Sequence, residues 1–220
     1  MLRFDITSIL VRIVAVVLAM SVHEMAHALV SYWMGDPTAK LEGRLSLNPF
    51  RHIDWLGVLC LMFFGFGWAK PVPIDSRYYK DQKTGIIWTS FAGPLANFIL
   101  AFLVLVIYML LVKFAPGFLL GTTIGDFVAS CLIGTSSISI AFGIFNLIPI
   151  PPLDGSKILF SFLPDDQYYR FIQGSQIFYF IFIAVLFSGI LDVPLYMLRN
   201  SIFEVFWNVA SAIVPTIIYS

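Results

Sequence analysis

Runs of about 20 consecutive apolar residues constrain this chain most, because a helix of that length crosses the hydrocarbon core of a bilayer. Four runs qualify: Ile6 to Trp33, Ile86 to Phe114, Phe127 to Ile148 and Phe171 to Leu191. A fifth, Leu195 to Ile218, is interrupted by Arg199, Asn200, Glu204 and Asn208. That pattern suits a span with one polar face or a helix lying in the membrane interface. A sixth run, Trp55 to Ala69, is short and carries three glycines, so a re-entrant or interfacial segment is expected. The chain is 59% hydrophobic and 12% charged, against about 25% charged for a soluble domain. An ordinary water-soluble domain and a disordered tail are thereby excluded. The expected fold class is an all-α polytopic membrane protein with five to six transmembrane helices.

Charge placement orients the spans. Residues 35–85 carry Lys40, Arg44, Arg51, Lys70, Arg77, Lys80 and Lys83, whereas 113–126 carries only Lys113. The first stretch is expected to face the cytoplasm and the second the outside. Thirteen Lys and Arg balance thirteen Asp and Glu, so nothing favours a nucleic-acid partner. Cys60 and Cys131 lie far apart in apolar runs and read as buried hydrophobes rather than a disulfide. A signal peptide is rejected for the N-terminus, because the first run is too long and lacks a cleavage site.

From Lys40 to Asn48 polar residues fall on even positions and apolar residues or Gly on odd ones. This period of two predicts a strand. Prolines make Ala69 to Ile74 extended and suited to a sheet edge. A small β element on the cytoplasmic side is therefore expected. No internal repeat or linker divides the chain, so residues 1–220 are expected to form one membrane-embedded domain, with a core at about 6–165 and C-terminal helices at about 171–218.

The chemistry concentrates in His23-Glu24-Met25-Ala26-His27. On a helix, residues i and i+4 share a face, so both imidazoles can hold one Zn²⁺ with Glu24 beside them as a base. Three ionisable groups in five residues of a membrane helix cost several kcal/mol and mark function by default. A catalytic zinc needs a third protein ligand. His52, Glu42, Asp54 and Asp154 are the candidates. Asp154 stands just after the three prolines that end the third run, where irregular backbone at membrane depth lines a cavity or is buried in protein.

HEMAH in one membrane helix and Asn146-Leu147-Ile148-Pro149-Ile150-Pro151-Pro152-Leu153-Asp154-Gly155 after another resemble the site-2 proteases, which are intramembrane zinc metalloproteases. The pattern Asn-x-x-Pro-x-x-x-x-Asp-Gly is matched without departure. Gly93-Pro94-Leu95-Ala96-Asn97 resembles that family's Gly-x-x-x-Asn element. Residues 43–49, His52 to Asp54 and 67–73 look like its compact prokaryotic branch. The resemblance covers about residues 10–165.

What it implies is specific. His23, His27 and Asp154 would ligate one zinc, Glu24 would be the general base, and Asn146 would hold the substrate backbone or the oxyanion. Gly93 and Asn97 would support the site, or else serve as a helix kink and an interhelical hydrogen bond. The substrate would be a membrane protein, single-span, in the plasma membrane of a prokaryote. The site would open to the cytoplasm, since His27 lies six residues, about 9 Å, before Trp33. The chain has no room for a PDZ-type domain between its core helices. Two other readings stand beside the enzyme: a zinc transporter or channel, and a catalytically silent helix-binding membrane protein.

Overall fold

The computed structural model describes residues 6–57, 70–164 and 175–215. Three long apolar helices form the centre: α1 (Ile6–Met34), α2 (Gln82–Phe114) and α3 (Thr123–Asn146). Each is long and apolar enough to cross a membrane. A short helix, α4 (Asp154–Phe160), follows α3, and α5 (Ser175–Phe187) and α6 (Asp192–Ile213) complete the order.

The helices pack through stripes of small residues at four-residue spacing. On α1 the buried stripe is Ala15, Ala19, His23, His27 and Ser31. On α2 it runs Gly85, Thr89, Gly93, Asn97, Ala101, Leu105 and Met109. Ridges of this i±4 kind interdigitate between helices, and small residues let backbones approach where lipid gives no hydrophobic push. The outward faces carry the large apolar residues. Leu10, Val14 and Leu18 on α1, and Leu95, Ile99, Leu103 and Ile107 on α2, are all exposed. Large apolar groups outside and small or polar groups inside reverse the pattern of a soluble bundle. This is an all-α, multi-pass membrane protein.

The ends are set locally. Asp81 caps α2 by accepting from the Lys83 and Thr84 amides, and Thr122 caps α3 by accepting from Gly125, each satisfying donors a helix start leaves unpaired. The C-terminal half of α2 packs on α6, where Leu105 and Met109 meet Ala210 and Val214. Ala101 joins Ile140 and Ile144 of α3, with Phe203 and Phe206 of α6 against them.

Two expectations change. The fourth and fifth apolar runs are not two separate spans among the described residues. Phe180–Phe187 and Asp192–Ile213 are bent by 77° at a short break, where Gly189 adopts φ +69°, a left-handed turn that glycine takes without steric cost. The described residues thus hold three candidate spans, or up to four if the bent pair counts as one, and the expected five to six are not confirmed among them. Most of Trp55 to Ala69 (residues 58–69) lies outside the described residues, as do 171–174 of the fourth run.

The second correction concerns the β element. Lys40 and Leu41 end a helical turn, Thr38–Leu41, and Gly43 at φ +67° reverses the chain. Arg44 points inward, 5% exposed, while Leu41 and Leu47 are 81% and 62% exposed. The alternation is therefore not a strand with a wet face; Arg44 turns in because it has carbonyls to bind there. Lys70–Asp75 forms no helix, in keeping with its prolines, and among the described residues it joins no strand ladder. The Lys70 amide donates to the His52 carbonyl at 2.9 Å.

Candidate metal centre

Three side chains converge between α1, α2 and α4. His23 Nε2 and His27 Nε2 are 2.9 Å apart. Asp154 Oδ2 lies 3.2 Å from the first and 3.0 Å from the second. All three residues are buried. The helical i,i+4 spacing brings the imidazoles together. Asp154 arrives because Pro149, Pro151 and Pro152 end α3, and Gly155 packs on the Leu147 carbonyl, where a Cβ would stand 2.2 Å away.

The outer nitrogens decide what this cluster can hold. His27 Nδ1 donates to the Thr89 carbonyl at 2.6 Å, because a carbonyl can only accept. Its Nε2 therefore turns a lone pair toward His23 and Asp154. His23 Nδ1 meets the carboxamide of the fully buried Asn97 at 3.1 Å. With the amide oxygen Oδ1, otherwise without a partner, turned onto Nδ1–H, His23 also presents a lone pair inward. Two nitrogen lone pairs and a carboxylate oxygen then face one point, an arrangement that calls for a cation. Zinc bonds of about 2.0–2.1 Å at tetrahedral angles set ligand atoms about 3.3 Å apart, close to the observed spacings. The His-His-Asp donor set suits zinc.

Gly93 completes the cradle. A Cβ there would lie 2.5 Å from His27 Nε2 and 2.7 Å from His23 Nε2, so its missing side chain keeps the point between the ligand atoms open. Asp154 is steadied from the other side, with Lys157 Nζ 2.9 Å from its Oδ1. The ring of Phe142 stands edge-on to His23 at 5.5 Å.

Glu24 lies beside the histidines on α1, and its Oε2 accepts from the Val72 amide at 3.0 Å. Asn146 closes α3, where its amide nitrogen donates to the Phe142 carbonyl at 3.0 Å; among the described residues no hydrogen bond joins it to the cluster. The other ligand candidates are engaged elsewhere. His52 Nε2 donates to the Ser46 carbonyl at 2.7 Å, Asp54 caps the Leu56 and Gly57 amides, and Glu42 is exposed. Among the described residues, His23, His27 and Asp154 form the group able to hold a metal ion.

Sequence reasoning missed Thr89, Lys157 and Val72. Lys157 was visible as a cation three residues after Asp154 on one helix. Thr89 and Val72 act through backbone atoms, which leave no trace in residue type.

A membrane protein with a buried His-His-Asp cluster able to hold a metal ion between its apolar helices is the class that the fold and site define. The sequence profile described as Peptidase family M50 matches residues 121–189, the stretch holding Asn146 and Asp154. The Bacillus subtilis (strain 168) protein named "Putative zinc metalloprotease YwhC" is 34% identical over 199 residues, covering 88% of this chain and 90% of that protein. "Putative zinc metalloprotease MJ0611" of Methanocaldococcus jannaschii is 32% identical over 162 residues, covering 71% and 73%. "Putative zinc metalloprotease Rip2" of Mycolicibacterium smegmatis is 27% identical over 182 residues, covering 77% and 63%. No solved structure matches the chain. The chain belongs to peptidase family M50, the site-2 proteases.

Proposed function

We propose that the chain is an intramembrane zinc endopeptidase that hydrolyses peptide bonds in or near transmembrane segments of single-span membrane proteins. One observation carries the reading: His23 and His27 on α1 meet Asp154, more than a hundred residues away, at hydrogen-bond range around a point that Gly93 leaves open. The relatives' names and the M50 profile support a membrane-associated zinc protease. His23, His27 and Asp154 hold one zinc ion per chain in this reading.

Zinc bound there supplies Lewis acidity, which lowers the pKa of water and polarises the scissile carbonyl. Glu24 accepts the proton of the attacking water and delivers it to the leaving amine. Its Oε2 is held by the Val72 amide, which leaves Oε1 for that proton. Thr89 and Asn97 fix the imidazole orientations, and Lys157 keeps Asp154 from swinging away. Asn146 serves the substrate backbone or oxyanion by exchanging its bond to the Phe142 carbonyl for one to substrate. The protein sits in the plasma membrane with residues 35–85 toward the cytoplasm, the side from which water reaches the site.

The test is metal content and cleavage on one preparation. Wild type purified in detergent is expected to hold one zinc per chain and to cut a single-span reporter helix. Asp154→Ala is expected to lose both, and Glu24→Gln to lose cleavage alone. Full zinc in Asp154→Ala, or cleavage by Glu24→Gln, overturns the assignment.

A further inference from the structure

Lys70–Asp75 is a strap that crosses Glu24, and its chemistry is unusually restricted. Pro71 and Pro73 have no amide hydrogen, so between them only Val72 can donate, and that donor is on Glu24 Oε2 at 3.0 Å. Residues before prolines are driven to extended backbone, which fixes Lys70 and Val72 as extended. The strap is pinned on both sides of this contact. Arg44 Nη2 donates to the Lys70 carbonyl and, at 3.1 Å, to the Pro71 carbonyl. At the far end the Asp75 amide donates to Asp36 Oδ2 at 2.8 Å. Arg44 and Asp36 are both buried. Val72 itself packs on Ala28 and Ala39, with Leu45 against them.

We infer that Arg44 is a positioning residue for Glu24: by clamping the Lys70 and Pro71 carbonyls it sets where the Val72 amide stands, and so where the general base points. The inference rests on the proposed protease reading for what Glu24 does. A buried guanidinium is costly unless its donors are used; here one nitrogen, Nη2, is spent on two successive backbone carbonyls beside the base, while the buried Nε has no partner among the described residues. The shorter, neutral side chain of glutamine cannot bring a charged donor to both carbonyls.

The experiment uses the full zinc-loaded chain and a fluorophore-labelled single-span helix as probe. Arg44→Gln is expected to lower kcat by about 10- to 100-fold, the scale for a catalytic group misplaced by about 1 Å. KM should change by less than about twofold and zinc content not at all, since among the described residues no hydrogen bond joins the strap to His23, His27 or Asp154. Arg44→Lys, which keeps the charge, should recover part of the loss and stands in if Arg44→Gln does not fold.

A second readout needs no activity. In a Cys60→Ala, Cys131→Ala background, Val72→Cys should react with a maleimide about tenfold faster once Arg44 is replaced. A kcat within twofold of wild type, an unchanged labelling rate, or a kcat loss matched by zinc loss overturns the inference. A wild type that cuts nothing sinks the protease reading instead, and the labelling comparison still decides whether Arg44 holds the strap.

Discussion

Gly93 faces His27 so closely that a Cβ on it would sit 2.5 Å from the imidazole Nε2. No side chain, however small, fits there without moving a ligand. Gly93→Ala should therefore empty the metal centre while leaving the helix intact, because alanine favours helix by about 1 kcal/mol. The expected result is a folded protein with zinc affinity reduced at least about 100-fold and no cleavage, read by metal analysis beside circular dichroism. Normal zinc content in Gly93→Ala contradicts the cradle.

Asn97 holds His23 through its outer nitrogen. Losing such a partner typically weakens metal affinity or activity about 10- to 100-fold. Asn97→Leu should show that loss in a zinc-chelator competition. Asn97→Asp, which keeps an acceptor for Nδ1–H, should retain most of the affinity. Equal loss in both variants would mean that packing, not the hydrogen bond, is what matters at this position.

Asp36 predicts a pH dependence. Burial pushes its carboxyl up, but the Thr38 hydroxyl, the Asp75 and Thr38 amides and the Ser31 hydroxyl outweigh that and hold it below the ordinary value of 3.8. A carboxyl depressed on folding stabilises the native state above its unfolded pKa, and that contribution fades as pH falls through the folded value. Asp36→Asn should therefore lower the thermal midpoint at neutral pH, and the gap to wild type should close below about pH 3.8. A gap that is constant down to acid pH would refute the carboxylate's role.

The two imidazoles were legible because helical spacing alone joins residues four apart. Asp154 was not fixed by spacing; residue chemistry left it beside His52, Glu42 and Asp54, and the resemblance to the family singled it out. The strand at Lys40 to Asn48 was misread because alternation records residue type, not direction. Gly43 turns the chain there, and Arg44 is polar yet faces inward to reach backbone carbonyls. The span count of five to six is not confirmed among the described residues, where hydropathy does not register the bend near Gly189. The Thr89 carbonyl and Val72 amide were out of reach altogether, since every residue but proline carries the same backbone groups.

The buried stripe of α2 has a consequence for what the helix can tolerate. Thr89, Gly93 and Asn97 serve the centre from positions four apart, and the same stripe continues through Ala101 to Leu105 and Met109 against α3 and α6. Each residue turns a helix by about 100°. One inserted or deleted residue between Thr89 and Asn97 would therefore rotate either the metal cradle or the whole distal contact out of register. Natural length variation in this helix should be confined to its two ends, and the interval from 89 to 97 should behave as a fixed ruler.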